Sequence, residues 1–100
     1  QTVFFTDRAI YRPGQTIKYK GVSIRYDQNV GKYTALSGRK VTVIFSDPNG
    51  QEIARATHTT NDYGSFNGVF TAPRDRLMGR MSLRTDDNQG TTAVTVEEYK

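Results

Sequence analysis

The sequence predicts an all-β domain, an antiparallel two-sheet sandwich of about seven strands. Three observations predict it. Apolar residues recur with period two, turn-forming residues interrupt that alternation at short intervals, and no window carries a helical period. At 100 residues and 11.3 kDa the chain has the size of one domain, and surface scaling lets about two thirds of its surface be buried.

Thr2 to Thr6 (TVFFT) is a short first strand. The corner IYRPGQ follows, Ile10 to Gln15. There Pro13 fixes φ near the value wanted at the second position of a type II turn, and Gly14 supplies the positive φ of the third. Such a turn holds Ile10 and Tyr11 down on the sandwich rim while Gln15 starts the next strand. Gln15 to Tyr26 is long, with Ile17 and Tyr19 on one face. After Gly21 the apolar parity switches to Val22, Ile24 and Tyr26, which predicts a bulge at the glycine that slips the register by one. Gln28 to Gly38 is polar and irregular, a loop anchored by Tyr33 or Leu36.

Arg39 to Asp47 puts Val41, Val43 and Phe45 on one side. DPNG, Asp47 to Gly50, is a β-turn into the strand Gln51 to Thr59. Asn61 to Phe70 opens with a turn and becomes a strand in which Phe66, Gly68 and Phe70 share a face, ended by Pro73. Leu77 to Thr85 carries Met81 and Leu83. DDNQG turns the chain, and Thr91 to Glu98 closes with Val94 and Val96. Seven strands at this spacing fit a sandwich of immunoglobulin-like or fibronectin type III-like size. Cysteine and tryptophan are both absent, so the core closes by apolar interdigitation, with no disulfide and no tryptophan packed on one. There is no internal repeat and no low-complexity tract.

Composition excludes several classes of function. Hydrophobic residues make up 35% of the chain, a modest share that leaves little for a large sticky patch. No run of 18 apolar residues exists and no signal-peptide pattern opens the sequence, so no membrane span is expected. Fourteen Lys and Arg oppose ten Asp and Glu, for a formal charge of +4, and they are scattered, as on a solvated surface. Lys18, Tyr19, Lys20, Arg25 and Tyr26 offer the nearest approach to a nucleic-acid stripe. Alternation explains the tyrosines more simply, as one strand face turned to the core. Without cysteine there is no thiol nucleophile or thiolate metal site, and the redox compartment is undetermined.

No catalytic, cofactor or metal site is expected. His58 is the sole histidine, flanked by threonines, and none of Ser37, Ser46 or Ser65 sits in a nucleophile-elbow sequence; a surface histidine is the reading. Asp86, Asp87 and Asn88 before Gly90 lack the alternating ligands and distal Glu of a calcium loop, and read as a hairpin turn. Asp47 and Asp62 sit where short side chains bond turn backbone. In VEEYK, Val96 to Lys100, Glu97 and Glu98 flank a strand end, where edge charge discourages aggregation.

The corner is where resemblance becomes specific. FTDRAIYRPGQTIKYKGV, Phe5 to Val22, resembles the opening of the second macroglobulin domain of the alpha-2-macroglobulin family, whose members include protease-trapping inhibitors and thioester complement proteins. Thr6, Asp7, Arg8, Ile10, Tyr11, Arg12, Pro13, Gly14 and Gln15 match its phrase, while Ala9 stands where proline is usual and leaves the loop entrance less stiff. SDPNGQEI, NDYGSFNGVFTAP and the closing VEEYK follow in the family's order, so the resemblance covers nearly the whole chain. NDYGSF is closer to bacterial members than to vertebrate ones.

The resemblance implies a single macroglobulin domain over 1–100, excised from a larger secreted or cell-envelope protein, extracellular or periplasmic. It implies a non-catalytic module contributing to the scaffold of a protease-trapping assembly, with neighbouring macroglobulin domains as its direct partners, reached at its two ends. Target proteases would be met through the parent only, and neither nucleic acid nor direct membrane insertion is implied. The C-G-E-Q thioester of many members cannot lie in a chain without cysteine, and Asp27 to Gly38 is the only exposed candidate for a bait stretch, better read as a surface loop. The rival is a cell-surface adhesin or carbohydrate-binding sandwich. It requires an exposed aromatic platform, three or more coplanar rings drawn from Tyr26, Tyr33, Tyr63 and Tyr99.

Overall fold

A computed structural model describes residues 1–98 and places them in two packed β-sheets. Nine strands occur among these residues: β1 (Thr2–Thr6), β2 (Ile10–Tyr11), β3 (Thr16–Asp27), β4 (Lys32–Ala35), β5 (Lys40–Ser46), β6 (Glu52–Thr59), β7 (Ser65–Thr71), β8 (Gly79–Thr85) and β9 (Thr91–Val96). The seven expected strands are all present, within two residues at most ends. The two additional ones are β2 and β4.

The four-stranded sheet is organised on β3, which pairs antiparallel with β1 along one edge and with β7 and then β4 along the other. The five-stranded sheet runs β2-β9-β8-β5-β6, antiparallel except for the short parallel pairing of Ile10 and Tyr11 with Thr95 and Val96. Each sheet turns its alternate apolar residues toward the other. Ile17, Tyr19, Phe66 and Phe70 come from the first, and Val41, Val43, Phe45, Met81, Leu83, Val94 and Val96 from the second, all buried. A chain of ring contacts crosses the interior. Phe45 stacks on Phe70 at 5.2 Å and Phe70 on Tyr19 at 5.1 Å, while Phe4 meets Tyr19 edge-on at 6.5 Å. Such pairs add about 0.5–1.5 kcal/mol each beyond the area they bury.

The corner behaves as its residues dictate. Gln15 N–H donates to Arg12 C=O at 3.1 Å across the turn, and Gly14 sits at φ +87°. Tyr11 is fully buried, and its hydroxyl donates to Asp7 and accepts from Arg8 N–H at 3.0 Å, which ties the corner to the chain just before it. Ile10 is not held down with it. It remains 45% exposed, because a residue next to a buried one in a strand faces the opposite way.

Three further expectations are corrected. No bulge occurs at Gly21: the β1–β3 and β3–β7 registers run unbroken past it, and burial keeps one parity through Ile17, Tyr19, Gly21 and Ser23. The glycine serves close approach instead, since a Cβ there would stand 2.6 Å from both Cε atoms of Phe66. The segment 28–38 is not an irregular loop, because Lys32–Ala35 pairs with Ile24–Asp27 as a hairpin extending β3 past the core. Within it Leu36 is the anchor, its N–H bonded to Ser23 C=O and its C=O accepting from the Thr60 hydroxyl; Tyr33 is 64% exposed. Finally, the tyrosines of β3 do not share a face. Tyr19 is buried and Tyr26 points outward.

Candidate functional site

The residues that could carry chemistry fall at three places: the β6 face bearing His58, the open end of the sandwich, and the turns. His58 lies on β6, opposite Val41 of β5, in the row that puts Ala56 opposite Val43 and Ala54 opposite Phe45. That row faces inward, so His58 is half-buried between the sheets and is not the surface histidine expected. Its ring stacks on Phe66 at 5.2 Å and meets Tyr19 edge-on at 5.7 Å, and Nε2 is hydrogen-bonded to the Tyr19 hydroxyl at 2.6 Å. Gly68, paired with Tyr19, makes the room, because a Cβ on it would lie 2.5 Å from the Tyr19 oxygen and 2.8 Å from His58 Cε1. Burial lowers the His58 pKa and pushes the Tyr19 hydroxyl up to about 12. Both therefore stay neutral at physiological pH, and the pair is a polar clasp between the two sheets.

None of the candidate serines meets this histidine. Ser46 pairs with Glu52 near the far end of the β5–β6 ladder, five strand residues away, roughly 17 Å. Ser65 precedes Phe66 on β7 and so takes the opposite face of the sheet. Ser37 lies exposed in the crossing from β4 to β5. A base, a nucleophile and an orienting acid are thus not assembled around His58.

At the end of the sandwich where the β1, β3, β4 and β8–β9 segments meet, an open cleft of about 520 Å³ is lined by Thr2, Ser23, Arg25, Tyr26, Arg39 and Asp87 among others. Some of its polar groups are engaged locally. Thr2 and Ser23 hydroxyls lie 3.4 Å apart, and the Asp87 carboxylate accepts from Gln89 N–H while sensing the charge of Arg39. Among the described residues, no group of three or more His, Asp or Glu side chains could hold a metal ion.

Turn backbone engages several of the other carboxylates, Asp27 and Asp47 among them. Asp47 Oδ1 accepts from Asn49 and Gln51 N–H at 3.0 and 2.9 Å, and Oδ2 accepts from Arg76 at 3.3 Å. These bonds, the Gln51 amide foremost, lower its pKa. In the β6–β7 turn it is Asn61, and not the expected Asp62, whose side chain accepts from Tyr63 and Ser65 N–H. The 86–90 segment is a hairpin turn, as expected: Asn88 takes φ +60°, and the buried Thr85 hydroxyl accepts from Gln89 and Gly90 N–H. At the C-terminal end Glu97 N–H donates to Tyr11 C=O and both Glu97 and Glu98 are exposed; Tyr99, the fourth platform candidate, lies outside the described residues. Tyr26 and Tyr33 stand side by side on the β3–β4 hairpin, 4.8 Å apart but tilted by 46°, and Tyr63 is exposed on the β6–β7 turn.

The family model described as MG2 domain matches residues 1–97. The chain is 31% identical over 99 residues to an alpha-2-macroglobulin of Thermotoga maritima, which covers 97% of the chain and 6% of that protein. To an alpha-2-macroglobulin of Ralstonia nicotianae it is 29% identical over 97 residues, 95% of the chain and 6% of the relative. The chain therefore spans about 6% of the length of these curated relatives.

Proposed function

Because this chain belongs to the MG2 domain family, we propose that it is a non-catalytic structural module of a large alpha-2-macroglobulin-like protein, one part of the scaffold of a protease-trapping assembly. The observation that carries this reading is its small share of relatives that bear the alpha-2-macroglobulin name. The internal chemistry supports it, since the half-buried histidine is committed to Tyr19 and the turn carboxylates to backbone amides. Its immediate partners are neighbouring domains of the same polypeptide, and target proteases are met only by the whole. We place the parent outside the cytoplasm, extracellular or in the cell envelope; no helix among the described residues is long and apolar enough to cross a membrane.

The test compares the full-length polypeptide with the 100-residue chain against a panel of endopeptidases acting on a large protein substrate. Inhibition by the full polypeptide and none by the isolated chain is the expected result. Inhibition by the isolated chain, or turnover by it in a broad hydrolase screen, sinks the scaffold reading. Saturable binding of the isolated chain on a glycan array would transfer support to the carbohydrate-binding alternative.

A further inference from the structure

We propose that the outer face of the four-stranded sheet is a docking surface, covered in the parent by another domain of the same polypeptide that presents aliphatic side chains rimmed with carboxylates. This rests on the scaffold reading above and moves the principal contact from the two ends of the domain to one of its faces.

The starting point is the parity switch along β3. Since no bulge occurs, Val22, Ile24 and Tyr26 are not inward residues displaced by a slip; they stand on the outward side of β3, whose inward positions are Ile17 and Tyr19 in its first half and Gly21, Ser23 and Arg25 in its second. A strand of an antiparallel sheet with one solvated face alternates apolar and polar residues, whereas apolar residues on both faces belong to a strand covered on both sides. The register places Val3 of β1 beside Val22, and Tyr33 and Ala35 of β4 beside Tyr26 and Ile24. Phe5 and Val69 add to the same face and are 57% and 58% exposed, as Tyr26 is 50% exposed. Three strands abreast and a 12-residue β3 give a face of about 14 Å by about 40 Å, the scale of an inter-domain contact.

Charge narrows the occupant. On the outward positions of β1, β3, β4 and β7 stand Lys18 and Lys20 and no carboxylate. Asp7, just past β1, is bonded to the Tyr11 hydroxyl and to Lys18 N–H. A second copy docked on this face would bring two more lysines and no carboxylate to meet the first two, a poor electrostatic complement. A surface with Asp or Glu at its rim complements them. A nucleic acid is the weaker match, because two lysines supply little of the positive charge that backbone binding requires, and Val3, Val22, Ile24 and Val69 occupy the face between the rings. Relatives in which this unit is about 6% of the chain provide many other domains to fill the role.

Hydroxyl-radical footprinting read by mass spectrometry tests this on the full-length polypeptide and on the 100-residue chain side by side. Phe5, Tyr26 and Tyr33 should be labelled about tenfold less in the full polypeptide, as befits the dry core of an interface, while Leu77 and Met78, exposed on the β7–β8 crossing at one end of the domain, keep their labelling. If Leu77, Met78 and Tyr63 are protected and the face is not, the face proposal falls and the scaffold reading stands. If none is protected in the full polypeptide, both fall. A concentration-dependent dimer of the isolated chain with the face protected makes the occupant a second copy and overturns the same-polypeptide assignment, and salt-sensitive protection by a single-stranded oligonucleotide overturns it equally. As a second check, F5S/Y33S should lower the urea midpoint of the full polypeptide by clearly more than that of the isolated chain, where it removes only local contacts such as Tyr33 on Tyr26; equal effects on both overturn the proposal.

Discussion

Substituting Gly21 by alanine separates two explanations of why a glycine interrupts the longest strand. In the structure Phe66, its cross-strand partner, lies over the Cα of Gly21, so the added methyl would sit 2.6 Å from both Cε atoms of the ring. The ring has little room to retreat, because its other face stacks on His58 at 5.2 Å and Phe4 meets it edge-on at 6.1 Å. Overpacking of this kind costs about 1–3 kcal/mol. Alanine recovers about 0.5–1 kcal/mol of that, since glycine loses more conformational freedom on entering a strand. The expected net loss is roughly 1–2 kcal/mol, and each kcal/mol lowers Tm by about 4–8 °C in a domain of this size. Urea denaturation of wild type, G21A, F66L and the double variant gives the cycle. With the shorter leucine in place, G21A should cost markedly less, a coupling of about 1 kcal/mol or more. If G21A is neutral, or costs the same in both backgrounds, the ring does not explain the glycine. A backbone irregularity would then be the better account.

Three other outcomes follow from the same geometry. G14A should destabilise by about 1–2 kcal/mol, the cost of forcing a Cβ into left-handed backbone, at a position with φ +87° whose N–H donates to Ala72 C=O; an unchanged urea midpoint would count against the turn as the fixed point of the corner. At Asn88, φ +60°, alanine should cost about 1 kcal/mol and glycine close to nothing, and equal losses would contradict a purely conformational role. His58 has its pKa lowered from 6.5 by burial, so below pH 6.5 the unfolded chain binds a proton that the folded chain resists. Stability is therefore full above that pH and declines as pH falls toward the lower folded value. Asp7 and Asp47, lowered from 3.8, lose their contribution only below that pH. H58Q should flatten the upper part of the urea-midpoint profile and leave the acid limb; an unaltered slope between pH 6.5 and 5 would refute the buried clasp.

What was legible in the sequence was what local chemistry decides. The alternation of Val41, Val43 and Phe45, the DPNG turn and the Pro13–Gly14 corner each specify their own conformation, and each appears where read. Lys32–Ala35 was missed because KYTA is short and wholly exposed, so it has no apolar period; it becomes a strand only because β3 overshoots the core and offers it an edge. The His58 clasp was missed for a different reason. In EIARATHT the inward row is Ala54, Ala56 and His58, two small residues and a polar one, which reads as a solvent face when judged by hydropathy. The turn does not supply the signal either. Counting back from Ser46 opposite Glu52 would set Ile53, Arg55 and Thr57 against Phe45, Val43 and Val41, and it is a register shift between Phe45 and Ser46 that brings Ala54, Ala56 and His58 there instead.

The same geometry commits His58 to the junction between the two sheets. A sandwich without disulfide or tryptophan must join its sheets with what remains, and here glycines at positions 21 and 68 of two paired strands let Phe66 and Tyr19 lie across the neighbouring backbone. That brings His58 close enough to bond Tyr19, and the ring chain runs on through Phe70 to Phe45 in the opposite sheet. A general base must keep a ring nitrogen within reach of substrate; this one has Nε2 bonded inside the fold and its ring faced by Phe66. Freeing the histidine for catalysis would thus open the junction between the sheets. At His58 the geometry serves the junction.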